Sequence, residues 1–198
     1  MATRRDSVEL FRSTHVQVIV SILLVALIVA ARLLPHAANF TPVAAVGLFA
    51  GVYLRKNWAP FLPLLGLLIS DLFIGGYGVC GMVIVYGSFA LTFLIGRIMA
   101  RGGLFKKRGQ LGRKLPSVIG GSLAGAVLFF LITNNIFLYT PALYSHDLSG
   151  MIASYVAGIP FFRWQVVGDL FYCGMLFGAY ELATSWVAKR SPKQIEVR

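Results

Sequence analysis

The sequence predicts an all-α membrane protein, folded as a compact bundle of six transmembrane helices in one domain, residues 1–198. The first observation is composition, since 58% of the residues are hydrophobic and the mean hydropathy is +0.77. The second is charge, because charged residues are 13% of the chain, about half of the ~25% usual in soluble proteins. The third is the division of the chain into apolar runs separated by polar or glycine-rich segments.

The apolar runs place the predicted helices in order along the chain. A bilayer-spanning helix needs ~20 residues, so the short second run either begins in the preceding loop or sits inside the bundle. Pro60 and Pro63 fall in the first turns of the third run, where proline is tolerated. The longest connection is 139–163, in which Met151–Ile159 is a candidate for a short interfacial helix. The predicted spans are 16–34, 40–54, 58–74, 82–100, 117–138 and 164–187.

The positions of lysine and arginine predict the orientation, because basic residues mark cytoplasmic loops. With six spans, sixteen of the 18 lysines and arginines fall on the side that holds both termini. The remaining two, Arg32 and Arg163, fall on the opposite side. We therefore expect both termini in the cytoplasm.

Several functional classes are disfavoured by the composition. The net charge of +11 would suggest nucleic acid for a soluble protein, but no soluble domain remains to bind it, so we expect no nucleic-acid partner. Two cysteines cannot form a disulfide framework or a zinc site alone, and the chain has no CxxC pair. No GxxxxGK[ST] motif is present, so nucleotide hydrolysis by a phosphate-binding loop is not expected.

The stretch from Ser70 to Gly81 concentrates unusual chemistry between two apolar runs, on the predicted outer side. It contains Asp71, Tyr77 and Cys80 among four glycines. A carboxylate at the end of a helix opposes the helix dipole, so we expect Asp71 to have a cationic or hydrogen-bond-donor partner. The two outer-side arginines are the candidates, and we favour Arg163.

Several roles are open for Cys80. A free cysteine is often a small residue that fills the hydrophobic core. A catalytic nucleophile would need a nearby base, and lipidation is a further alternative. A thiolate also prefers soft metals, and one thiol can supply a single axial bond to a metal already held in a macrocycle.

In the sixth run, polar and aromatic residues recur on one helical face, which should point inward because a carboxylate cannot face lipid cheaply. We expect Glu181, off this face, to extend towards the inner surface. The face consists of Asp169, Tyr172, Cys173, Leu176 and Tyr180.

Small residues one turn apart predict close helix packing in lipid. Such pairs are Gly47 with Gly51, Gly121 with Gly125, Gly174 with Gly178, and Ala26 with Ala30. For Ala26 and Ala30, docking of another membrane subunit is an alternative to packing.

The segments Arg32–Pro42, Leu48–Gly51 and Ser70–Leu72, with six short spans, resemble the substrate-binding S-components of energy-coupling-factor (ECF) vitamin transporters. They resemble more closely the BtuM-type solitary cobalamin transporters of Gram-negative bacteria. The resemblance covers nearly the whole chain, and its most specific part is the Asp71–Gly81 stretch with its single cysteine.

The resemblance implies uptake of cobalamin (vitamin B12) across the bacterial inner membrane, with Cys80 as the axial cobalt ligand from the lower face. It also implies cysteine-dependent removal of cyanide from cyanocobalamin, so that Cys80 would be both metal ligand and catalytic thiol. No other cofactor is implied. Ala26 and Ala30 resemble the motif by which S-components dock their energising module, although solitary members work without it. Our further candidates for contacts to the substrate are Asp71, Tyr77, Tyr86, Asn39, Arg163, Asp169 and Tyr172.

Two alternatives remain open on the sequence alone. One is an S-component that binds a different vitamin, and the other is a membrane enzyme with Cys80 as a catalytic thiol. A scaffold subunit that only binds a partner through its small-residue faces is a third, simpler reading.

Overall fold

A computed structural model describes residues 13–76, 78–106, 111–135 and 143–190. These ranges contain six α-helices and no strand, which confirms the all-α prediction. Two single-turn 3₁₀ segments, Ala59–Phe61 and Leu104–Lys106, lie between them. The helices are α1 Thr14–Leu33, α2 Val43–Tyr53, α3 Leu62–Ile74, α4 Val79–Arg101, α5 Leu111–Thr133 and α6 Leu148–Arg190.

Four of these helices, α1, α4, α5 and α6, are long and apolar enough to cross a membrane, whereas α2 and α3 are shorter apolar helices. Their outward faces carry large apolar side chains such as Ile22, Val83 and Leu131, which are each at least half exposed. Soluble proteins rarely leave so much apolar surface in water. The chain is therefore consistent with a membrane protein.

The short helix α2 lies at the centre of the molecule. Every residue from Val43 to Val52 is buried, and α2 contacts α3, α4, α5 and α6. A helix that is apolar on all sides must be surrounded. Its eleven residues span only about 16 Å at 1.5 Å per residue, which explains why the second apolar run is short. The helix begins at Val43, after the preceding loop, and is buried among the other helices.

Glycines let α2 approach α4 until their backbones touch. A Cβ on Gly96 of α4 would overlap the carbonyl oxygen of Leu48, and a Cβ on Gly51 would overlap that of Phe93. Gly47 likewise faces Thr92 with no room for a side chain. The predicted packing role of Gly47 and Gly51 is thus confirmed.

The predicted small-residue pair on α6 behaves differently. Cβ atoms added to Gly174 or Gly178 would meet nothing within 4 Å, so these glycines make no close contact among the described residues. On α1, Ala26 and Ala30 are exposed, and Ala26 lines an apolar groove between α1 and α3. Their docking to another subunit stays a prediction.

Helix α6 is the main difference from the predicted elements. It has 43 residues, about 64 Å at 1.5 Å per residue, and it begins sixteen residues before the predicted span 164–187. Asp147 precedes its first turn, and its carboxylate accepts a hydrogen bond from the Gly150 amide at 2.8 Å. This bond and those from Ser149 and Ser145 hold the pKa of Asp147 at about 2, below its ordinary value of 3.8.

Pro160 lies inside α6 and does not end the helix. Tertiary contacts hold the turns on both sides of it against the end of α5. Before the proline, the Ser154 hydroxyl donates to the Asn134 carbonyl at 2.8 Å, and after it the Phe162 ring lies 4.7 Å from that of Phe130. The part of the predicted connection from Leu148 to Arg163, with the short helix expected at Met151–Ile159, is therefore the first third of a longer helix.

The bundle has two chemically distinct ends. The Cys80 end, as we call it, holds Arg32 in the last turn of α1, Asp71 near the end of α3 and Cys80 at the start of α4. The opposite end, which we call the Lys114 end, holds the N-terminus of α5 and the last residues of α2 and α4.

The Lys114 end contains a buried ion pair that the sequence analysis did not predict. Lys114 and Glu181 are both buried and form an ion pair at 2.5 Å, and the Tyr53 hydroxyl donates to the same carboxylate oxygen at 3.0 Å. The expectation that Glu181 extends towards the surface is therefore wrong, because a lysine from α5 is within reach inside the bundle.

Substitution of Gly96 tests the contact between α2 and α4. Gly96→Ala should destabilise the protein by about 1–3 kcal/mol, because overpacking a close contact forces backbones apart. Gly174→Ala is the matched control, and it should leave stability unchanged or slightly higher because alanine is the better helix former. Thermal unfolding of both variants in detergent is the measurement. Equal transition temperatures for the two variants would contradict the close approach.

Candidate functional site at the Cys80 end

A buried ion pair joins α1 to α3 at the Cys80 end. The Arg32 guanidinium lies 2.7 Å from Asp71 Oδ1, and the Asp71 side chain is 3% exposed. Arg32 also donates to the Ser70 hydroxyl at 2.6 Å and to the Leu67 carbonyl at 3.3 Å. One arginine thus compensates the Asp71 charge and also bonds to a backbone carbonyl group of α3.

Helix α4 joins the same network. The Tyr86 hydroxyl donates to Asp71 Oδ2 at 2.6 Å, so each oxygen of this carboxylate faces a partner from a different helix. A buried carboxylate is stable only when it is paired and hydrogen-bonded. The prediction that Asp71 has a cationic or hydrogen-bond-donor partner is confirmed, but the favoured partner, Arg163, is wrong. Arg163 is exposed on α6 and its guanidinium lies over the Trp164 ring at 5.5 Å.

Cys80 is the second residue of α4 and is exposed. The turn before it includes Gly75 with φ 97° and Gly78 with φ 31°, backbone conformations that glycine adopts readily. Glycine at these positions lets α3 and α4 be joined by a short turn that leaves the thiol uncovered. Tyr77, predicted in the same turn, lies outside the described residues.

The second cysteine makes a useful contrast. Cys173 is 1% exposed, in the interior of α6. Both cysteines are free. In the part of the chain that the structure describes, no group of three or more His, Cys, Asp or Glu side chains is placed to hold a metal ion. A metal at Cys80 would therefore have to arrive with its other ligands.

Two further predicted residues, Asn39 and Tyr172, lie where the loop after α1 crosses α6. Asn39 has φ 64° and is exposed, and the next residue, Phe40, packs its ring 5.5 Å from Tyr172. Gly168 permits this crossing, because a Cβ there would lie 3.0 Å from the Phe40 Cα. Tyr172 thus packs against the residue that follows Asn39 in the chain.

The polar face predicted for the sixth run does point inward. Asp169 and Cys173 are buried, and the other three members are partly buried against the core. The structure therefore brings Asp71 together with Tyr86, and it places Tyr172 against Phe40, the residue after Asn39. It places Asp169 inside the bundle and Arg163 on the surface.

Sequence reasoning missed the pairing of Arg32 with Ser70 and the polar groups that face Asp169 from other helices. A sequence signal for the Arg32–Ser70 pairing was present, since Arg32 is a lone arginine in the last turn of an apolar run and Ser70 directly precedes Asp71. No sequence signal marked the polar groups around Asp169, because Thr92 and Ser122 are ordinary residues for packed membrane helices.

Loss of Arg32 should destabilise the protein, because it leaves Asp71 buried without its cation. For Arg32→Ala we expect a loss of about 3 kcal/mol, the usual scale for breaking one side of a buried pair. Tyr86→Phe should cost about 1 kcal/mol, as for one hydrogen bond. Arg163→Ala is the matched control and should stay within about 0.5 kcal/mol of the wild type. Chemical or thermal unfolding in detergent measures all three, and an Arg163→Ala loss as large as that of Arg32→Ala would contradict the assignment.

Comparison with known proteins adds a family but no function. The family described as being of unknown function, DUF6580, matches residues 12–193. No curated protein and no solved structure matches the chain. Because the family match extends over nearly all 198 residues, the chain belongs to DUF6580, a family of unknown function.

Proposed function

We propose that this protein takes up cobalamin across the bacterial inner membrane and captures it at the Cys80 end, with the Cys80 thiolate as axial ligand of cobalt. The observation that carries this proposal is the exposed thiol of Cys80 in the first turn of α4. It lies at the same end of the bundle as the buried network of Arg32, Asp71 and Tyr86.

The basic residues support an orientation for this capture. Among the described residues, the Lys114 end and the helix ends beside it hold most of the positive charge, and the other side holds Arg32, in its ion pair, and Arg163. The Cys80 end should then face the periplasm and the Lys114 end the cytoplasm, as the bias of basic residues towards cytoplasmic loops predicts. The residues on the basic side are Arg55, Lys56, Arg97, Arg101, Arg113 and Lys114.

A single exposed thiol can be sufficient to coordinate the cobalt of cobalamin. The corrin ring supplies four equatorial nitrogens, so the protein needs to add only one axial bond, and a thiolate is a soft ligand suited to that bond. If cyanide occupies the opposite axial position, electron donation from sulfur weakens the cobalt–carbon bond. Cyanide then leaves with the bonding electron pair, and the cobalt oxidation state does not change. Decyanation by this route needs no reductant.

The network beside Cys80 provides a rigid wall for such a site. Asp71 and Tyr86, both proposed as substrate contacts, already satisfy each other, so their first role is to fix α3 against α4. A large ligand would meet the partly exposed Tyr86 together with the exposed apolar side chains of Leu72, Phe73 and Val79. Binding to a preformed surface costs less ordering than binding to a mobile one.

The absorption spectrum of the purified protein with added cobalamin tests the proposal. Cobalt–thiolate coordination should change the visible spectrum for wild type, and Cys80→Ala should abolish that change. Cys173→Ala is the matched control, since it removes the buried thiol and should keep the spectral change. With cyanocobalamin, cyanide should be released by wild type and not by Cys80→Ala.

Two outcomes would contradict the proposal. A spectral change that survives Cys80→Ala would remove this thiol from cobalt. Absence of any cobalamin binding by wild type would favour an S-component for a different vitamin, or a membrane enzyme that uses Cys80 as its nucleophile.

A further inference from the structure

A narrow crevice lies in the interior of the bundle, away from Cys80. Helices α2, α4, α5 and α6 all contribute to its wall, and it encloses about 170 Å³ without room for a water-sized sphere. Most of its lining is small or apolar, but four polar side chains face it. These are Thr92, Ser122, Asp169 and Cys173.

Asp169 differs from the two other buried acidic side chains of the described residues. Asp71 is paired with Arg32, and Glu181 is paired with Lys114. Asp169 is 2% exposed, its Oδ2 has no hydrogen-bond partner, and no lysine or arginine among the described residues forms an ion pair with it.

The surroundings of Asp169 offer hydrogen bonds but no compensating charge. The crevice residues of α2, α4 and α5 include no charged or titratable side chain, and on α6 the titratable neighbour in the crevice is Cys173. Gln165, one turn earlier, lies beside the Asp169 carboxyl group, and its amide nitrogen makes no hydrogen bond of standard geometry.

The free-energy cost of burying an unpaired charge determines whether an isolated carboxylate is charged or protonated. Moving an unpaired charge into an apolar interior costs far more than binding a proton and neutralising it. Ionisable groups held inside transmembrane bundles commonly belong to proton or ion pathways. A sodium ion would need several oxygen ligands and space for its own volume, whereas a proton needs only the carboxyl group and one acceptor.

We propose that Asp169 is a proton-binding site in the centre of the bundle, formed by its carboxyl group with the Ser122 and Thr92 hydroxyls. The Ser122 Oγ is buried without a partner. The Thr92 hydroxyl donates its own hydrogen to the Phe89 carbonyl at 2.6 Å, which leaves its oxygen lone pairs available. A protonated Asp169 therefore has two possible acceptors.

The location of Asp169 in the fold relates the proton-binding site to the capture of substrate at the Cys80 end. Asp169 lies next to Gly168, against which Phe40 packs, so the loop that reaches α6 from the Cys80 end touches the backbone beside the carboxyl group. Resting on the proposed function, we infer that proton binding at Asp169 is coupled to inward movement of the substrate. The proton would be taken up on the periplasmic side and released on the cytoplasmic side.

Infrared spectroscopy of the purified protein at neutral pH tests the proton site. A protonated buried carboxyl group gives a carbonyl band above the amide I band, which shifts in heavy water. We expect this band in wild type and in Glu181→Gln, the matched control with an ion-paired acid, and we expect its loss in Asp169→Asn. Wild-type protein labelled with ¹³C-aspartate should show the band at lower frequency, so the assignment holds even if Asp169→Asn does not fold. A wild type without such an aspartate band would overturn the site.

Uptake into proteoliposomes tests the coupling separately. An inward-directed proton gradient should raise cobalamin uptake at least several-fold in wild type and should not raise the uptake by Asp169→Asn. Wild-type uptake that ignores the gradient would contradict the coupling. Failure of the proposed function is distinct, since it would remove the cobalamin spectrum and leave the infrared band in place.

Discussion

The ion pair between Arg32 and Asp71 determines how the helices meet at the Cys80 end. It lies almost out of contact with solvent, and it is completed by hydrogen bonds from Arg32 to Ser70 and from Tyr86 to Asp71. Because these groups come from α1, α3 and α4, the last turns of two helices and the first turns of a third are held in one arrangement. The exposed thiol of Cys80 is presented by the first turn of that third helix.

Three buried acids in the described part of the chain show how one residue class takes different roles inside a membrane bundle. Asp71 and Glu181 each have a cation within 3 Å and act as fixed crosslinks between helices, one near each end. Asp169 has the same burial and lacks the cation, so its charge is unfavourable where the other two are stabilised. This contrast separates the two acids that support the fold from Asp169, for which we propose proton binding.

Much of the fold follows from the sequence, because apolar runs and their lengths largely dictate helices in a bilayer. The shortness of the second run left a helix inside the bundle as one of two alternatives, and the need of Asp71 for a cationic or donor partner came from its position at a helix end. The sequence could not decide between Arg32 and Arg163 as the partner of Asp71, since that choice depends on which helices become neighbours. The sequence also did not predict that α6 starts at Leu148 and continues past Pro160. Both depend on tertiary contacts, because contacts with α5 outweigh a local helix-breaking residue. The crevice around Asp169 is formed by four helices and has no local sequence pattern.

Labelling of Cys80 with a membrane-impermeant maleimide in intact spheroplasts tests most directly whether the Cys80 end faces outward and binds cobalamin. The buried thiol of Cys173 should react only after denaturation, which gives an internal control in the same chain. We expect Cys80 to be labelled without permeabilisation and to be protected when cobalamin is present. Labelling that requires permeabilised cells, or that proceeds equally with cobalamin bound in excess, would contradict this account.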